Sequence, residues 1–201
     1  LLIILLTLFF YFFVIPNFGF ANVLFTITSS VSTSGITTYS PNLDLDLSLF
    51  FILLTVIGGS LISTSSGFKY TRIYILLKIS YQEIYRLVKP INVIDKNLYN
   101  SEAKIDDQDV KIAFLAFLAF IISIFILSSI LACDYLTFEN SFKLSILTLT
   151  NTVSSALYGF ENLSFLDLNN LTKMSLILFM ILGKIEIIAV IYLIKRFIFR
   201  E

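Results

Sequence analysis

The sequence predicts an all-α membrane protein built from two copies of one unit: a helix, a short pore helix, a polar filter-like loop and a second helix. Three observations carry this. Apolar residues make up 57% of the chain, and they collect in runs close to the ~20 residues a helix needs to cross a hydrocarbon core. Two apolar segments fall short of that length, and each is followed by a run of hydroxyl side chains. The second short segment with its tail, "FKLSILTLTNTVSS", parallels the first, "ANVLFTITSSVSTS", and repeated units are common in transport proteins.

The elements follow in order. Leu1 to Ile15 is apolar and stops at Pro16. It has neither the basic flank nor the small-residue cleavage site of a signal peptide, and it is read as the remainder of a transmembrane helix. Asn17 to Val31 would make a helix of only ~22 Å, which suits a re-entrant helix better than a crossing one. The hydroxyl run "SSVSTSGITTYS" comes next, then Pro41 and the acidic turn with Asp44 and Asp46. Leu47 to Ile57 is apolar again, breaks at "GGSLISTSSGFK", and resumes as "YTRIYILLKI".

Ser80 to Asp109 is polar and mixed in charge. Within it Ile84, Leu87 and Val88 share one helix face, which predicts an amphipathic helix at the membrane surface, ended by Pro90. Val110 to Cys133 is a full span, Phe138 to Thr150 is again short, and Leu171 to Phe199 is the last span. The domain organisation is therefore a first unit over 1–78, a cytoplasmic amphipathic linker over 79–108 and a second unit over 109–201.

Charge sets the orientation. Lys69, Arg72, Lys78, Arg86, Lys89, Lys96, Lys104 and Lys111 surround the central polar segment, and Lys195, Arg196 and Arg200 close the chain. The positive-inside rule makes both regions cytoplasmic. The opposite side carries Asp44, Asp46, Asp134, Glu139, Glu161 and Asp167 against Lys143 and Lys173. Acidic groups beside a pore mouth concentrate cations and repel anions. Enzyme chemistry has little to work with. There is no histidine, Cys133 is the only cysteine, and no G-x-x-x-x-G-K phosphate loop occurs. No nucleic-acid partner or bound cofactor is expected; membrane lipid is the surrounding partner.

Irregular backbone is tolerated at membrane depth where it is buried in protein or lines water. Carbonyls freed in such a loop can replace the hydration shell of an ion. The strand needs small side chains and a residue that accepts positive φ, which favours glycine. Ser32, Thr33, Ser34, Gly35 and Ile36 supply both.

These stretches, with "VIGGSLISTSSGFKYTRIYILLK", "EIYRLVKPINV" and the closing "LILFMILGKIEIIAVIYLIKRFIFRE", resemble the Trk/Ktr-type potassium uptake proteins over nearly the whole chain. In that family the third filter reads about T-T-T-G-[FY], the following helix I-G-G-x-x-x-S-T-x-G-G-x-K, and the last helix carries G-R-L-E. The resemblance implies that this chain corresponds to the third and fourth of four helix–pore–helix repeats around one pore, half of a pseudo-tetrameric cation pore. It implies K⁺ bound at filter carbonyls, with Gly35 as the third filter glycine.

The fourth filter reads about N-N-[LV]-G-P-G-L-G in the family. Here the strand is Asn151, Thr152, Val153, Ser154 and Ser155, so Ser154 stands where the glycine belongs. Serine resists positive φ, and in plant relatives a serine at a filter glycine, that of the first repeat, goes with sodium preference. By the same resemblance Gly58, Gly59, Ser60, Ser63, Thr64, Ser65, Ser66 and Gly67 form an intramembrane gating loop. Lys184 matches the arginine of G-R-L-E, a pore-lining positive charge. The resemblance further implies a homodimer in the cytoplasmic (inner) membrane, with a cytosolic nucleotide-binding, TrkA-like regulatory subunit on the inner face, and leaves symport or channel-like flux open.

Overall fold

The computed structural model describes residues 2–14, 19–36, 45–58, 66–88, 105–134, 136–153, 165–166, 168–185 and 196–197. In chain order these are α1 (Leu2–Phe9), a π-helical turn (Phe10–Val14), α2 (Phe20–Val31), α3 (Leu45–Val56), β1 (Ile57–Gly58), β2 (Phe68–Lys69), α4 (Tyr70–Val88), α5 (Asp107–Ala132), α6 (Phe138–Leu149) and α7 (Asn170–Ile185). The architecture is all-α. Among the described residues its one β feature is a parallel pairing of Ile57 with Phe68 and of Gly58 with Lys69, too short to carry a period-2 pattern in the sequence.

α5 is the long element, 26 residues, which at 1.5 Å per residue spans roughly 39 Å. Asp106 caps its start, with a reciprocal capping box to Asp109. Its buried face runs Ala113, Ala116, Phe120, Ile124, Leu127 and Leu131, with Ser123 and Ser128 between. Small residues on that face let neighbouring helices approach closely. The opposite face, with Phe114, Leu118, Ile122 and Phe125, is apolar and exposed. A helix apolar all round that packs protein on one side alone is built for a hydrocarbon solvent. Among the described residues α5 is the one helix that meets both the length and the hydropathy of a membrane span.

The two short helices match in length: α2 and α6 each have 12 residues, about 18 Å. α2 packs beside α1 and α3, and α6 is held among α5, α7 and α3. The main core joins the two halves: Val23 and Ile27 of α2, Phe51 and Ile52 of α3, Leu127 and Leu131 of α5, Leu144 and Leu147 of α6, and Leu176 and Phe179 of α7. α6 is enclosed, with Lys143 to Leu149 all buried. α2 buries one face, Val23, Ile27, Ser29 and Ser30.

α4 departs from the two-part reading of its sequence. It runs unbroken for 19 residues, so the amphipathic stretch after Ser80 is the continuation of the helix that starts at Tyr70. No glycine or proline interrupts it. Local contacts at helical spacing support it, Lys78 over the Tyr74 ring and Arg86 to Glu83 at 3.1 Å. At its far end Ile84, Leu87 and Val88 are exposed. A small second core joins Ile75 of α4 to Ile105 and to Ala113 of α5.

Candidate functional site

Both short helices are rich in hydroxyls, and most of these are satisfied locally. Thr28 Oγ1 donates to the Leu24 carbonyl, Ser30 Oγ to Thr26, Ser145 Oγ to Phe142 and Thr148 Oγ1 to Leu144. Back-bonding of this kind lets a hydroxyl sit in an apolar setting without an orphan proton.

The helix ends repeat one geometry. After α2, the Thr33 N–H reaches the Ser30 carbonyl and the Ser34 N–H reaches Ser29; after α6, Asn151 N–H reaches Thr148 and Thr152 N–H reaches Leu147. These bonds require a left-handed residue just past the helix, and Thr33 (φ 52°) and Asn151 (φ 55°) supply it. Among the described residues they are the two non-glycine positions at positive φ.

The strands then diverge. Gly35 sits at φ 67°. The residue the same number of steps past its helix in the second unit is Val153, which has no positive φ and packs on the main core. Ser29 steadies the first strand from behind, its hydroxyl 2.6 Å from the Ile36 carbonyl and 3.0 Å from Ser34 Oγ. Thr150 and Thr152 hydroxyls pair at 2.7 Å and are buried.

The fold brings the two strands together. A Cβ on Gly35 would lie 3.1 Å from both the Asn151 carbonyl oxygen and Thr152 Cα. Only a residue without a side chain fits so near the facing backbone at that φ. Ser66 lies at the same junction. Its N–H donates to Thr33 Oγ1 at 2.9 Å, and its Oγ accepts from Asn151 Nδ2 at 2.9 Å. Gly67 (φ 87°) follows, where a Cβ would stand 2.9 Å from the Thr55 carbonyl oxygen and 3.6 Å from Thr150 Cγ2. α7 closes the site from the other side: Asn151 Nδ2 also donates to the Met180 carbonyl at 2.9 Å.

Ser32 to Ile36, Asn151 to Val153, Ser66 and Gly67 therefore meet at one place, and Gly58 lies at the β1 pairing nearby in the chain. Lys184 is exposed on α7, within a turn of Met180. Gly59, Ser60, Ser63, Thr64, Ser65, Ser154 and Ser155 lie outside the described residues, as do Asp44 and Glu161. Sequence reasoning missed Ser29, the Met180 carbonyl and Gly183. A glycine isolated in an apolar helix was the available signal for Gly183. The Met180 carbonyl acts through a contact 29 residues away in sequence, and Ser29 through bonds to Ser34 and Ile36 that form only once the chain has turned out of α2.

Asp134 joins the end of α5 to the start of α7. It accepts from Asn169 N–H, Asn169 Nδ2 and Thr172 Oγ1 at 2.9, 2.9 and 2.7 Å. The Thr172 hydroxyl, followed by the Asn169 backbone N–H, holds its carboxyl below the usual carboxylate range. The position suits a negative charge, since the start of a helix is the positive end of its dipole.

Comparison with known proteins agrees with the all-α membrane fold. The crystal structure of the potassium transporter TrkH from Vibrio parahaemolyticus superposes with a TM-score of 0.78 at 26% identity, covering 96% of this chain and 41% of that one. A curated but uncharacterized cation transporter of Methanocaldococcus jannaschii is 29% identical over 185 residues, 88% of this chain and 36% of its own length. The chain thus spans about two fifths of the relatives it matches. The profile of the TrkH family, described as cation transport proteins, matches residues 20–198. The fold is the all-α pore fold of membrane transporters rather than that of an enzyme, and the chain belongs to the TrkH family of cation transport proteins.

Proposed function

We propose that the chain forms two of the repeats of a potassium uptake protein, with dehydrated K⁺ held by carbonyls of Ser32 to Ile36 and of Asn151 to Ser155. The observation that carries this is Gly35, at positive φ and within van der Waals reach of the facing Asn151–Thr152 backbone. Two loop strands, each behind a half-length helix, converge there without charged side chains. That arrangement suits coordination by backbone dipoles, which select among cations by number and field strength. The segment from Gly58 to Gly67 gates the path beneath the filter, and Lys184 places a positive charge that opposes cation passage until the gate moves.

The protein works as a homodimer in the cytoplasmic membrane, filter loops outward, with a cytosolic nucleotide-binding regulatory subunit on the inner face. A second reading, sodium or mixed transport by the same pore, is favoured by Ser154 in the glycine position. K⁺ and Na⁺ uptake by the complete transporter, in cells lacking their own K⁺ uptake, tests both. K⁺ uptake lost in Gly35→Ala supports the first reading. Uptake of Na⁺ alone would select the second, and uptake of both ions untouched by Gly35→Ala would remove the filter assignment.

A further inference from the structure

We propose that Ser66 and Asn151 are positioning residues that tie the two filter strands to each other, so that the register between the strands, and with it cation selectivity, depends on this tie. The proposal rests on the filter reading above and goes beyond it. Ser66 belongs to the segment read as a gate, yet it bonds to the base of both strands. Its N–H holds Thr33, and its hydroxyl oxygen holds the Asn151 amide. Thr33 and Asn151 are equivalent positions, each the left-handed residue that turns the chain out of its short helix.

The chemistry is economical. A carboxamide nitrogen has two protons, and in Asn151 one goes to Ser66 and the other to the Met180 carbonyl. One residue thus ties the second strand to the intramembrane segment and to α7. Ser66 is 3% exposed and Thr33 7%, so the bond between them is shielded from water, while Asn151 is half-buried. Removing one partner leaves the other unsatisfied in a low dielectric. Gly35 already lies against Asn151 and Thr152; loosening the tie lets that spacing relax. A coordination cage whose spacing relaxes loses discrimination between ions of different radius before it loses conduction.

The test compares Ser66→Ala, Ser66→Thr, Asn151→Gly and the Ser66→Ala/Asn151→Gly double variant in the complete transporter, with Gly35→Ala as a control. Glycine at 151 keeps the positive φ, so that variant remains informative even where Ser66→Ala fails to reach the membrane. The readout is the K⁺ to Na⁺ uptake ratio at matched membrane abundance. Ser66→Ala and Asn151→Gly are each expected to lower the ratio about fivefold, the weight of one hydrogen bond. The double variant should lose no more than the worse single one, because both remove the same tie. Ser66→Thr, which keeps the hydroxyl, should restore the ratio. An unchanged ratio in both single variants, with Gly35→Ala altering it, would overturn the tie while leaving the filter standing. Additive losses in the double variant would also overturn it. A ratio unchanged in Gly35→Ala would remove the filter itself.

Discussion

Gly183 of α7 rests directly on the backbone of Leu149, the last residue of α6. A Cβ at 183 would fall onto the Leu149 carbonyl oxygen, with the carbonyl carbon 2.8 Å away and Cα 3.0 Å away. This close approach is what puts the Met180 carbonyl within reach of Asn151. Gly183→Ala must therefore push α7 off the end of α6. Overpacking against rigid backbone costs about 1–3 kcal/mol, so the variant should melt earlier in detergent and, on the proposed function, take up K⁺ more slowly in the complete transporter. A wild-type melting temperature and uptake rate would show that α7 has room to spare.

Asp134 predicts a pH dependence with a definite sign. Its folded pKa is depressed by the Thr172 hydroxyl and then by the Asn169 backbone N–H. The stabilisation is therefore present above the ordinary Asp value near ~3.9 and is lost as pH falls through the lower folded value. Stability should stay flat on this account from neutral pH to about pH 4 and fall below it. Asp134→Asn, which has a single acceptor oxygen, should be less stable than wild type at neutral pH and lose the acid limb. Melting curves recorded between neutral and strongly acidic pH check both; a wild-type acid limb in Asp134→Asn would assign it to other groups.

Lys143 and Glu139 form an unequal pair on α6. The lysine side chain is 8% exposed and the glutamate 60%, with 2.6 Å between Nζ and Oε1. Solvent screening of the glutamate weakens the pair itself. Glu139→Gln nevertheless leaves a buried ammonium without its counter-charge, whereas Lys143→Met removes the charge and keeps the packing volume. Lys143→Met is expected to be the more stable of the two. The opposite order in a thermal-shift comparison would mean that the lysine head group is held by something other than Glu139.

The resemblance to the family puts Ser154 at the glycine position of the fourth filter, and on that reading Ser154→Gly should raise discrimination of K⁺ over Na⁺. The neighbouring Val153→Gly separates this from a general loosening. Val153 packs on the main core and has no positive φ, so glycine there removes contacts and should cost roughly 1–2 kcal/mol of stability without a gain in discrimination. Permeability ratios for the two variants measured side by side decide it. A higher ratio in Val153→Gly would move the filter glycine position one residue earlier.

The short helices were legible because their physics is local. A 12-residue apolar segment cannot cross a bilayer, and hydroxyls that bond their own helix need no distant partner. The meeting of Gly35 with Asn151 was foreshadowed by the repeat, but the distance between the strands had no trace in either one. The continuous α4 was hidden by composition. The polar shift at Ser80 records a change of surroundings, and surroundings do not break a helix that contains no breaker. Ser29, Met180 and the Ser66–Asn151 tie were invisible for a common reason: each bond joins groups whose chemistry is ordinary until the fold sets them 2.6–2.9 Å apart.

The parallel pairing of Ile57–Gly58 with Phe68–Lys69 makes the chain leave and return at one point. Ser66 stands two residues before Phe68, so the register of this pairing also sets where Ser66 meets Thr33 and Asn151. A one-residue slip of the pairing would carry the tie away from both strands.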